Sequence, residues 1–165
     1  MATASIIIRP YQRGDEAALV QIWNKALWCD PITVDTWRAK ILLDPNFDPA
    51  TCLVAEIDER VRGFALGLTR QVPFFNDGLE PTMGWITAMG VDPEFQRMGV
   101  GSALLRALLA RLRDLGRSHV VLGPYIPHYF TPGVDVSAYA SALAFFAKHG
   151  FTVTMRPLSM KANLT

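Results

Sequence analysis

The sequence predicts one α+β domain on a mixed central sheet. Three observations carry this. The hydrophobic period switches repeatedly between helical and strand spacing along the 165 residues. The segments run β-α-α-β-β-β-α-β-α-β, without an internal repeat, low-complexity tract or linker. Half of the residues are hydrophobic and 19% are charged, which suits a single buried core and excludes a disordered chain.

Residues 6–8 read as a short strand closed by Arg9-Pro10. Gly14-Asp15-Glu16 opens a helix with acidic residues in its first turn, and Ala18, Leu19, Ile22, Trp23 and Leu27 form its apolar face. Asp30-Pro31 breaks that helix. Residues 33–36 start a second one, with Trp37, Ile41 and Leu42 on its apolar side and Asp44-Pro45-Asn46 at its end. The period then shortens to two. Residues 51–57 and 61–69 are β-rich around Asp58-Glu59-Arg60, a hairpin. Residues 72–81 form a loop in which Phe74-Phe75 stand where polar residues belong, pointing to a partner or ligand. Met83–Val91 is a strand ended by Asp92-Pro93. Residues 100–115 form the clearest helix, with Val100, Leu104, Leu105, Leu108, Leu112 and Leu115 inside, Arg106 and Arg113 outside, and Gly116 as its stop. His119–Leu122 is a short strand. A long loop, 123–135, is rich in proline, glycine and aromatics. Residues 137–149 form a last helix stopped by Gly150, and residues 151–155 and 158–160 give a closing strand interrupted at Pro157.

The formal net charge is +1, which argues against bulk binding to nucleic acid. Residues 97–117 nevertheless hold five arginines against one acid, Asp114, so one edge is basic within a near-neutral chain. No segment reaches the ~20 apolar residues of a membrane span, and residues 1–8 lack the pattern of a signal peptide. A cytoplasmic protein is expected. Cys29 and Cys52 are too few for a disulfide scaffold, and both read as small core residues. No His, Cys or Asp grouping has metal-ligand spacing.

The most informative stretch is Gln96-Arg97-Met98-Gly99-Val100-Gly101-Ser102, between a strand and a helix. The first amides of a helix lack intrahelical partners and carry partial positive charge. Glycines there remove the Cβ atoms that would keep a phosphate from those amides, and Arg97 adds a cation. A Walker A loop would need Lys before Ser102, where Gly101 stands. A Rossmann turn would need a small residue where Leu104 stands, so a nucleotide- or NAD-binding enzyme is disfavoured.

Gln-x-x-Gly-x-Gly at Gln96, Gly99 and Gly101, after Val-Asp-Pro and before a leucine-rich helix, resembles the GNAT superfamily of N-acetyltransferases. The run Phe145-Phe146-Ala147-Lys148-His149-Gly150-Phe151 is similar to that family's late helix and Gly-Phe ending. The resemblance implies an α/β/α sandwich with a mixed sheet of six to seven strands and about four helices. It also implies transfer of an acetyl group from acetyl-CoA to a primary amine of a small molecule or peptide, by direct attack in a ternary complex. A coenzyme A-binding sensor domain without turnover is the alternative. A homodimer is the commonest assembly.

Carried onto this sequence, the cofactor cleft lies between Met83–Val91 and His119–Leu122. Main chain of Met89, Gly90 and Val91 would pair with the pantetheine arm, and a main-chain N–H near Met89 or Val91 would stabilise the oxyanion. Amides of Arg97, Met98, Gly99, Val100, Gly101 and Ser102 would hold the pyrophosphate. The family's late helix usually begins with Asn and carries a proton-donating Tyr seven residues on. Here Tyr139 and Phe146 stand at those positions, and the resemblance places both at the cofactor. Phe146 has no proton to give and can only pack against the arm, and Tyr139, about two helical turns away (~10 Å), is no simple replacement. Tyr125, His128 and Tyr129, after the second cleft strand, are the candidates for the missing acid, and Glu80, acting through water, for the base. The loop that holds the first three reads either as a wall of the acceptor pocket or as a packed surface loop. Trp28 is a candidate for the mouth of that pocket.

Overall fold

The protein's structure, a computed structural model, describes residues 5–128, 130, 133–157 and 162–163. Five short runs with strand propensity pair into one sheet: β1 (Ile7–Pro10), β2 (Cys52–Ile57), β3 (Arg60–Leu68), β4 (Met83–Val91) and β5 (His119–Leu122). Their spatial order is their chain order. β1 to β4 are antiparallel neighbours, and β5 lies parallel to β4. Asp58 and Glu59 join β2 to β3 with both φ values positive, 50° and 58°, as a two-residue hairpin turn requires.

Helices cover both faces. On one lie α1 (Glu16–Ala26) and α2 (Val34–Trp37), the latter running on into a π-helical turn, Arg38–Leu42. Trp23 and Trp37 from these helices pack on Phe64 of β3, Trp23 stacked at 5.6 Å and Trp37 edge-on at 6.1 Å. The other face takes α3 (Val100–Asp114), whose Leu104, Leu105, Leu108 and Leu112 are fully buried. Three of these leucines seat on sheet glycines. A Cβ on Gly63 would stand 3.0 Å from Leu104, one on Gly67 2.6 Å from Leu108, and one on Gly84 3.3 Å from Leu112. The i, i+4, i+8 leucine ridge thus fits a groove that missing side chains leave in the sheet. This fit fixes where the first turn of α3 stands relative to the end of β4. The last helix, α4 (Ala140–Lys148), buries Phe146 against the same core.

The mixed α+β sheet is as expected, with five strands among the described residues, slightly fewer than about six to seven. Other expectations need correction. Residues 151–157 join no strand, and 158–160 lie outside the described residues. A strand needs a paired edge and a buried face; here Val153 and Met155 are 60% and 66% exposed, and Pro157 has no N–H to donate. The last helix begins at Ala140 rather than 137, because the Asp135 carboxylate binds the amides of Ser137 and Ala138 in a preceding turn. Cys52 is buried as expected, whereas Cys29 is exposed, in the turn that follows α1.

Candidate active site

β5 pairs along its whole length with only the first half of β4. The parallel register runs from Met83 opposite His119 to Ile86 opposite Leu122, and one further bond joins the Gly123 N–H to the Ile86 carbonyl. β4 continues to Val91 with β3 alone beside it. The parting point coincides with a bulge. Leu66 faces Ala88 and Gly67 faces Ile86, so Thr87 is the extra residue on β4. A bulge bends its strand and sharpens the local twist, which turns the second half of β4 away from β5. A cavity of about 90 Å³ opens there. Thr87, Ala88 and Met89 of β4 line one wall, Leu122 and Gly123 another, and Tyr139 and Phe146 a third.

Beyond β4 the chain is fixed before it enters α3. The buried Asp92 carboxylate lies 3.4 Å from both Lys25 and Arg62, and the Asp92 N–H donates to the Arg62 carbonyl at 2.8 Å. The Gln96 side chain donates to the Val91 carbonyl at 3.1 Å, so it ties the turn to the strand end. Arg97 and Gly99 both have positive φ, 64° and 89°, a curl that turns successive amides to one side. The first helical bond runs from the Ala103 N–H to the Gly99 carbonyl, which leaves the amides of Val100, Gly101 and Ser102 without acceptors inside the helix. Gln96, Arg97, Met98 and Gly99 are exposed, and nothing lies within 4 Å of the place a Gly99 Cβ would take. Free, exposed amides of this kind can accept an anion, and they stand beside the cavity. Ser102 adds its amide, while its hydroxyl lies 3.1 Å from the His149 ring at the end of α4.

Tyr139, just before α4, does not point along the helix. Its hydroxyl accepts from the Cys29 N–H at 2.9 Å and approaches the Asp30 carboxylate at 3.5 Å, and its ring meets Trp28 edge-on at 6.3 Å. Burial, more than the charge of Asp30, pushes this hydroxyl up to about 12, against the Cys29 N–H, which favours the phenolate. Asp30 lines the same cavity, together with Trp23, Leu27 and Phe130. Tyr139 and Asp30 therefore share, with Thr87, a mostly apolar pocket at the strand split.

A family model described as Acetyltransferase (GNAT) family matches residues 19–151, which take in the strand split, the cradle and most of both helix faces. The chain belongs to the GNAT acetyltransferases. Among its relatives, a mycothiol acetyltransferase of Geodermatophilus obscurus is 30% identical over 90% of this chain, but over only 47% of its own length. The chain spans less than half the length of the mycothiol acetyltransferases it matches. An L-2,4-diaminobutyric acid acetyltransferase of Nocardia farcinica is 30% identical over 67% of this chain and 51% of its own. Among solved structures, the glucosamine N-acetyltransferase region of a fungal multi-domain β-N-acetylglucosaminidase has a TM-score of 0.74 and 27% identity, covering 91% of this chain and 17% of that one. A GNAT acetyltransferase of Brucella melitensis in complex with acetyl-CoA shares the fold, with a TM-score of 0.60 and 21% identity over 98% of this chain and 92% of that one.

Within this GNAT domain, the residues expected to handle protons are not gathered at the cavity. Tyr125 is fully buried. Its hydroxyl accepts from Asn46 at 2.8 Å and donates to Asp44 at 3.2 Å, and burial pushes it up to about 12. His128 shares Asp44, with Nδ1 3.0 Å from the carboxylate. Asn46 also accepts the N–H groups of Gln71 and Val72. Glu80 pairs with the buried Arg70, which donates to the Ile126 carbonyl at 3.0 Å and lies over the rings of Trp85 and Tyr125. Together these groups pin the loop after β5 to the chain on either side of the first hairpin, and none of Tyr125, His128 and Glu80 lines the cavity. Tyr129 lies outside the described residues. Sequence reasoning missed Asp30, Asp44 and Asn46: both aspartates stand beside prolines and were legible only as helix stops.

Proposed function

We propose that this chain transfers an acetyl group from acetyl-CoA to a primary amine of a small molecule. The observation that carries the reading is the parting of β4 from β5 at the Thr87 bulge, next to the amide cradle of α3. Acetyl-CoA supplies an activated acyl group as a thioester. The residues present fit it. The cradle of Arg97, Met98, Gly99, Val100, Gly101 and Ser102 binds the pyrophosphate. The free edge of Met89, Gly90 and Val91 pairs with the arm, and Phe146 packs beside it. Main-chain N–H groups of β4 near Met89 stabilise the developing oxyanion, commonly worth roughly 3 kcal/mol for one donor.

The acceptor class follows from two things. The relatives are acetyltransferases named for mycothiol and L-2,4-diaminobutyric acid, both small molecules. The cavity adds a carboxylate suited to an ammonium group. A coenzyme A-binding domain without turnover is the reading that Phe146 favours; Tyr139, with a hydroxyl in the same cavity, weighs against it. Titration with acetyl-CoA and with NAD, followed by release of free thiol in the presence of amines, tests the proposal. Tight acetyl-CoA binding with amine-dependent thiol release is expected. Binding of NAD instead, or acetyl-CoA binding with no release on any amine, refutes transfer.

A further inference from the structure

Phe146 leaves this domain without a proton donor at the position where its family's late helix carries one. The pocket holds a different pair. Asp30 comes from the turn after α1, and Tyr139 from the residue before α4, 109 positions on in the chain. Both line the cavity at the strand split. The backbone of Asp30 and the hydroxyl of Tyr139 are each held by hydrogen bonds. The Asp30 carbonyl accepts from the Trp23 indole at 2.7 Å, and the Asp30 N–H donates to the Leu27 carbonyl at 2.9 Å. The Tyr139 hydroxyl accepts from the Cys29 amide, so its own proton is directed elsewhere. The contact from that hydroxyl to Asp30 Oδ2, 3.5 Å, is roughly 0.7 Å longer than an ordinary O–H···O bond, and a small side-chain adjustment closes it. Among the described residues, Asp30 has no ion-pair partner, unlike Asp15, Asp44 and Asp92. A carboxylate with no ion-pair partner among the described residues, in a mostly apolar pocket, suits a cationic acceptor.

We propose that Asp30 and Tyr139 form the proton relay of the transfer, Asp30 receiving the proton of the acceptor nitrogen and Tyr139 delivering one to the departing sulfur. This rests on the acetyltransferase reading above. The acceptor ammonium loses its first proton to solvent. The nitrogen lone pair then forms the C–N bond at the thioester carbon, and Asp30 takes the second proton from that nitrogen. As the C–S bond breaks, its electron pair goes to sulfur, and Tyr139 Oη gives that sulfur its proton. Asp30 returns its proton to the Tyr139 phenolate across their contact. An amide, a free thiol and one solvent proton result, and both side chains end as they began.

Asp30→Asn, Tyr139→Phe and the double variant test this, with glucosamine, spermidine and L-2,4-diaminobutyrate as acceptors. Each single variant should bind acetyl-CoA within about twofold of wild type and keep its Tm, yet lose about 10²–10⁴-fold in kcat. Groups that act as one relay are non-additive, so the double variant should be no more than about threefold slower than the slower single one. A readout apart from turnover uses ¹³Cζ-tyrosine NMR, with the Tyr139 resonance assigned by its absence in Tyr139→Phe. In Asp30→Asn it should titrate at lower pH than in wild type, because the Asp30 charge that opposes the phenolate has gone. Single variants within about threefold of wild type, losses that multiply in the double variant, or a Tyr139 titration unmoved by Asp30→Asn would each overturn the relay. A wild type that turns over none of the three amines overturns the acetyltransferase reading and the relay with it.

Discussion

Adding one methyl group at Gly101 should make the protein more stable and a poorer binder of acetyl-CoA. Gly101 is the second residue of α3 and is not among the glycines with positive φ. A Cβ there would meet Phe145 ring atoms at 3.5 and 3.6 Å and the Met89 methyl at 3.7 Å, all ordinary contacts. Ala is favoured over Gly within a helix by about 0.5–1 kcal/mol. At about 2–4 °C per kcal/mol for a chain of this size, Tm should rise by about 1–4 °C. On the proposed reading, the same methyl stands beside the helix amides that the cofactor arm and pyrophosphate would approach. Loss of one hydrogen bond to a charged phosphate costs about 1.5–3 kcal/mol, which is about tenfold to a hundredfold or slightly more in Kd. Thermal unfolding by circular dichroism and calorimetric titration with acetyl-CoA measure the two effects on Gly101→Ala. A Tm that falls by several degrees would refute the packing argument, and a Kd within about twofold of wild type would refute the cradle.

Gly67→Ala should behave in the opposite way, since its Cβ would lie 2.6 Å from Leu108 and 3.2 Å from the Thr51 carbonyl. Overpacking of about 1–3 kcal/mol should lower Tm by about 2–12 °C, read by calorimetry. Tyr125→Phe removes the buried acceptor of the Asn46 side-chain N–H and one donor to Asp44, and should cost about 1–3 kcal/mol in urea unfolding, with acetyl-CoA affinity unchanged. Asp15 gives a pH signature. Burial pushes its carboxyl up, but the hydrogen bonds from Arg9 and the Gln12 N–H and the Arg9 charge outweigh burial and hold it below its ordinary 3.8. A depressed carboxyl adds stability above that value and loses it as pH falls through the folded-state value. The Tm advantage of wild type over Asp15→Asn should be full at pH 7 and shrink as the pH drops below 3.8.

The boundaries of β4 and β5 were legible because β-branched and aromatic residues stop sharply at Asp92-Pro93 and Gly123. So was the buried face of α3, whose leucine spacing follows from helical period alone. What lay beyond reach depends on contacts between distant segments. Nothing local marks Thr87 as a bulge; it appears only when β3 supplies the register. The glycines of β3 and β4 read as weak strand residues until α3 lies over them. The closing strand failed for a related reason: alternating residues at 151–155 suit a strand, but beyond Phe151, which packs on Phe146, residues 152–155 are exposed and pair with no strand of the described chain. In the candidate site, Gln96, Gly99 and Gly101 were legible because the proposed phosphate cradle lies within one short stretch of chain. Asp30 was not, since its meaning depends on Tyr139 folding back to it from the far end of the sequence.

Hydrogen–deuterium exchange with and without saturating acetyl-CoA tests the central claim most directly, because it reads the amides that the account assigns to the cofactor. Residues 87–91 and 97–102 should gain protection together, with little change at β1 and β2. Protection confined to other segments at saturation, or protection of 97–102 by NAD and not by acetyl-CoA, would contradict it.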